Sequence, residues 1–118
     1  MTASHKTNGD GYLLTTDTIS YFQNHYVGDE AKYLDWRASP LLAGSHANLP
    51  PALVLTAGFD PLRDEGIDYA QKLTQAGGQS THLSFERQIH GFITMGRLLQ
   101  EANVAVSVCA AALKQALV

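Results

Sequence analysis

The chain has 118 residues, of which 45% are hydrophobic and 16% charged, and a formal net charge of −3. That is ample for one domain, too short for two, and in the range of a soluble globular protein. The basic residues are scattered, which argues against nucleic acid or an acidic membrane surface as a partner, and no apolar run reaches the ~18 residues of a membrane span.

The opening, MTASHKTNGDGY, is polar and lacks the apolar core of a signal peptide, so a cytoplasmic location is expected. Cys109 is the single cysteine, which leaves no internal disulfide and no cysteine metal cluster. Residues 1–14 contain the turn signal Asn8-Gly9-Asp10-Gly11 and read as a loop, a first hint that the chain starts inside a larger domain. Residues 15–27 read as a short amphipathic helix. Ile19, Phe22 and Tyr26 form its apolar stripe, expected to pack in the core, and Thr16 or Asp17 is expected to cap its start. Residues 28–51 are a connection, with Tyr33, Leu34 and Trp36 as apolar anchors and prolines as punctuation.

Residues 52–117 read as a β-α-β-α core. The run ALVLT at 52–56 is continuously apolar, as in a strand covered on both faces, and Gly58 is expected to break it. A helix should open at Asp60-Pro61, with Pro61 at the first helical position, and run to about Ala76, where Gly77-Gly78 ends it. Its buried stripe is Gly66, Ile67, Ala70 and Leu73. Residues 81–86 alternate as in a strand nearer a sheet edge, and a loop follows with His90-Gly91-Phe92. The last helix should run from about Gly96 to Leu117. One face carries Leu98, Leu99, Ala102, Val106, Cys109, Ala110, Leu113 and Leu117, with Cys109 a buried small hydrophobe rather than a reactive thiol.

Two parallel strands joined by a helix leave both strand ends on one edge of the sheet, where open α/β sheets hold their ligands. Asp60 and His90, thirty residues apart, can therefore be neighbours. A neutral imidazole can take a proton from a hydroxyl and return it to a leaving group. A carboxylate on its far nitrogen fixes the tautomer. Asp60 can equally be a helix cap, and His90 a plain loop histidine. Asp64 and Glu65 lie further into the helix and are accounted for by its dipole and by solvation. A metal site of Asp60, His82 and His90 is the rival reading, but no metal-binding histidine spacing occurs. No nucleophilic serine stands out. Gly44-Ser45 lacks the G-x-S-x-G frame and a strand leading into it, and Ser84 and Ser39 would be the next candidates only if the chain alone hydrolysed esters.

The run LPPALVLTAGFDPLRDEG at 49–66, with HGF at 90–92, resembles the C-terminal part of the hormone-sensitive-lipase-like esterases, microbial carboxylesterases of the α/β-hydrolase fold. GYLLTTDTISYF upstream and Ser39-Pro40-Leu41 are similar too. The resemblance implies an α/β fold with two parallel strands and about three helices, incomplete as a domain. It implies Asp60 as the acid and His90 as the base of a Ser-Asp-His triad acting on a small ester, with no cofactor and no metal. The family's H-G-G-G segment and G-D-S-A-G-G elbow are missing. Since such a domain takes roughly 200 to 250 residues, the chain reads as a fragment, a truncated frame or one half of a split protein. Its expected partner is the missing N-terminal part or a second copy. The alternative is a non-catalytic, oligomerising module.

Overall fold

A computed structural model describes residues 1–117. Its elements are α1 (Ala3–Asn8), α2 (Thr16–Tyr26), β1 (Ala52–Phe59), α3 (Arg63–Gln75), β2 (Ser80–Ile89) and α4 (Gln100–Ala116), with single 3-10 turns at Glu30–Lys32, Pro40–Leu42 and Phe92–Thr94. β1 and β2 pair in parallel, and among the described residues they are the whole sheet. This is the α/β class expected, with α1 as an additional helix.

The sheet's two faces differ. On one face the Thr56 hydroxyl hydrogen-bonds to His82 and to Ser84, and Thr56 meets α3 so closely that a Cβ on Gly66 would come within 2.8 Å of its methyl. The other face carries the apolar core of Ala57, Phe92, Ala102 and Ala105, with Leu55, Phe85 and Leu99 packed against it. Alanines at 102 and 105 let α4 lie close to the sheet.

β1 runs on through Gly58 instead of breaking there, and the reason lies in the register. From Ala52 to Ala57 each partner lies 28 positions on (52 with 80, 57 with 85), but Phe59 pairs 30 positions on, with Ile89. The irregularity gives β2 two extra residues, and β2 extends to Ile89 rather than ending at 86. At this point β1 passes so close to β2 that a Cβ on Gly58 would overlap the Glu86 backbone. Gly58→Ala is expected to cost about 1–3 kcal/mol of stability, as overpacking against a fixed backbone does. Urea unfolding of the two proteins checks this.

Several expectations are corrected. The opening is not all loop: Thr2 caps α1, its hydroxyl accepting from the His5 amide, and Ser4, His5 and Asn8 are buried. In α2 the cap is Thr15, accepting from the Thr18 amide at 3.2 Å, and not Thr16 or Asp17. Its stripe is not core, because Phe22 and Tyr26 are 61% and 79% exposed. Leu34 and Trp36 anchor nothing either and stand exposed. The physical reason is supply: α3 and α4 already take the two faces of a two-stranded sheet. In the last helix, turns at 95–99 delay the start to Gln100. Its inner face is Ala102 and Ala105, whereas Leu98, Val106, Leu113 and Leu117 are exposed, and Cys109 is only half-buried. β1 is not covered on both faces along its first half, where Ala52 to Leu55 are only half-buried. No helix among the described residues is long and apolar enough to cross a membrane.

Candidate active site

The carboxylate of Asp60 is placed by a turn. Its carbonyl accepts from the Arg63 amide at 3.1 Å and its Oδ1 from the Leu62 amide at 2.8 Å. Leu62, at φ −88° and ψ 2°, has the third-position backbone of a type I turn, which puts Pro61 at the second position. Pro61 is thus a turn residue rather than the first residue of α3, which begins at Arg63. Asp60 is not the cap of α3, which is Leu62; one Asp60 oxygen closes the turn and leaves the other available.

That other oxygen, Oδ2, lies 2.8 Å from Nδ1 of His90. The register shift decides this meeting. With the offset of 28 kept, Asp60 would stand beside Gln88; at 30 it stands beside His90. Beyond β2, Gly91 takes the left-handed conformation (φ +75°, ψ 1°), which glycine adopts without cost. Phe92 then drops into the core at 5% exposure, its ring 4.9 Å from that of Phe85. The imidazole is therefore held from both sides, by a strand before it and a buried ring after it.

Asp60 is 14% exposed at its side chain and His90 41%. An ionised carboxylate can only accept, so in a neutral imidazole the proton sits on Nδ1 and Nε2 carries the lone pair. Nε2 has no hydrogen-bond partner among the described residues, so this nitrogen is available as a base. His82, the third member of the metal reading, is not brought to this pair. It lies down the strand opposite Val54, its Nε2 2.9 Å from the hydroxyl of Thr56.

Among the described residues no serine hydroxyl is hydrogen-bonded to His90 or to the Asp60 carboxylate. The Ser39 hydroxyl donates to the Tyr33 carbonyl at 2.6 Å, that of Ser45 accepts from the Ala47 amide at 3.2 Å, and that of Ser84 lies 3.4 Å from the Thr56 hydroxyl. A groove of about 710 Å³ lies between α3, β1 and the 38–42 segment and reaches Asp60, but His90 does not line it.

Sequence reasoning missed the residues behind Asp60. Asp64 is more than a dipole partner: its Oδ2 accepts from the Ser4 amide at 2.7 Å and its Oδ1 from Arg63 Nε at 3.0 Å. Arg63 Nη1 also donates to the Gly58 carbonyl at 3.0 Å. Burial pushes the Asp64 carboxyl up, but the Ser4 amide and the Arg63 guanidinium outweigh it and hold the carboxyl below its ordinary value of 3.8. A lowered folded-state value means the contribution to stability is complete above that ordinary value and is lost as pH falls below it. Acidification through that range is expected to loosen α1 before the sheet. Hydrogen exchange of the α1 amides against pH checks this, with Asp64→Asn removing the pH dependence.

Residues 1–94 match the model of a family described as alpha/beta hydrolase fold. Among curated relatives, an ethyl acetate hydrolase of Pseudomonas putida is 39% identical over 107 residues, covering 91% of this chain and 34% of that protein. The carboxylic ester hydrolase LipN of Mycobacterium tuberculosis is 45% identical over 92 residues, covering 76% of this chain and 24% of its own length. Among solved structures, the thermostable carboxylesterase EstE1, cloned from a metagenomic library, superposes with a TM-score of 0.95 at 34% identity, covering 99% of this chain and 40% of that one. The chain thus spans a quarter to a third of the length of these two curated relatives. The profile, the identities and the superposition agree that the chain belongs to the α/β-hydrolase fold family, among the hormone-sensitive-lipase-like carboxylesterases.

Proposed function

We propose that this chain supplies the acid and base of a Ser-Asp-His triad for hydrolysis of small, short-chain carboxylic esters. The serine and the oxyanion hole would come from outside these 118 residues. The observation that carries the reading is the 2.8 Å bond from His90 Nδ1 to Asp60 Oδ2, which leaves Nε2 unpartnered. That relatives across the length of this chain are ester hydrolases supports the choice of reaction.

In this reading Nε2 of His90 takes the proton of the incoming serine hydroxyl as the serine oxygen bonds to the ester carbonyl carbon. The imidazolium then returns that proton to the alkoxide as the carbon–oxygen bond breaks. In the second half, water replaces serine and the same nitrogen serves again. Asp60 stays ionised throughout, orienting the ring and stabilising its charged form. In this reading the donors to the oxyanion come from outside these residues, and one such donor is often worth about 2.7–4 kcal/mol.

The test is complementation. Alone, the chain is expected to hydrolyse a short-chain nitrophenyl ester at no more than background rate. Mixed with the N-terminal part of a related esterase, it should restore turnover, and His90→Ala should abolish the restored rate. Turnover by the chain alone at ordinary esterase rates, or restored turnover indifferent to His90, would sink the proposal.

A further inference from the structure

α1 belongs to neither the sheet nor its covering helices, yet its buried side chains point at one place. The Ser4 hydroxyl donates to the Pro61 carbonyl at 2.7 Å and accepts from the Asp64 amide at 3.2 Å, while the Ser4 amide donates to the Asp64 carboxylate. Asn8 Nδ2 lies 3.3 Å from the Gly58 carbonyl and 3.4 Å from that of Asp60. The carbonyls of residues 58, 60 and 61 are thus all held from α1, and these three bracket the carboxylate that meets His90. Ser4 is fully buried and Asn8 is 5% exposed. Arg63 also donates to the Gly58 and Asp60 carbonyls, through Nη1 and its amide, so α1 shares two of the three with Arg63 and holds that of Pro61 through Ser4; each bond lost on undocking loosens the turn.

We propose that Ser4 and Asn8 are positioning residues for the Asp60 carboxylate, and that α1 acts as a strap holding the turn so that Oδ2 stays aimed at His90 Nδ1. The proposal rests on the Asp60–His90 reading and adds to it the reason the acid stays in place. Oδ1 is committed to the Leu62 amide, so a small rotation of the turn removes Oδ2 from reach of the ring. α1 lies 50 to 60 residues ahead of the atoms it holds. Neither residue would touch substrate or proton.

The experiment reads the tautomer of the His90 ring by nitrogen-15 NMR in the full chain, at a pH where the ring is neutral. In the parent protein and in Thr7→Ala, a change on the exposed side of α1, the proton should reside on Nδ1. In Asn8→Ala and in Ser4→Ala the ratio of Nδ1–H to Nε2–H forms should fall about fivefold, the population change that one net hydrogen bond carries. The β1 and β2 amide signals should remain in place. An unchanged ratio in both variants overturns the proposal. If one variant loses the sheet signals, the other decides; if both lose them, α1 serves the fold as a whole and the proposal is also overturned. Absence of the Nδ1–H form from the parent protein overturns the Asp60–His90 pair itself, and the strap with it.

Discussion

Asp60→Asn, in an esterase completed around this chain, is expected to lower kcat about 10⁴-fold with little change in KM. The substitution is nearly isosteric, and its side-chain oxygen can still accept from the Leu62 amide, as Oδ1 does at 2.8 Å. What changes is the atom facing His90. An amide NH2 at the position of Oδ2 donates to Nδ1, so the ring proton moves to Nε2. That nitrogen then has no lone pair for the serine proton. Substrate binding does not pass through this bond, hence the split between kcat and KM. Steady-state kinetics beside a melting curve checks both parts. A drop of tenfold or less with the fold intact would show that Asp60 is a turn residue only.

Purified chain 1–118 is expected to self-associate, through the free side of β1 or by exchange of elements between copies. β1 has a hydrogen-bonded neighbour on one side only, β2, and its Leu53, Val54 and Leu55 are half-buried. A strand of this composition with an unpaired row of amides and carbonyls is a template for another strand. The exposed Phe22, Tyr26, Leu34 and Trp36 add apolar surface that α3 and α4 leave uncovered. Sedimentation over a range of concentrations should show species heavier than 12.8 kDa, and addition of the N-terminal part of a related esterase should compete with them. A single monodisperse monomer at all concentrations contradicts the expectation.

Much of the architecture was legible in local signals. The apolar run at 52–56, the Gly77-Gly78 stop and the alternation at 81–86 each depend on neighbours a few residues away, whereas Asp60-Pro61 reads as a helix start and is a turn. They suffice for β-α-β and for naming the acid and the imidazole that end the two strands. Periodicity misled where it assumed a partner. The stripes of α2 and α4 are real patterns, but no larger core covers Phe22 and Leu113 among the described residues, and both stand exposed.

Three things lay beyond any local pattern. The buried face of α1 is polar, made of Ser4, His5 and Asn8, so a search for apolar spacing passes over it. Its burial is tolerated because Asp64 and the carbonyls around Asp60 receive its donors, and those partners lie fifty to sixty residues on. The two extra residues in β2 change the partner of Asp60 from Gln88 to His90, and only the strand pairing discloses that shift. Residue types are set one position at a time, whereas register and docking are agreements between distant segments, and a carboxylate meets a ring only once both have been reached.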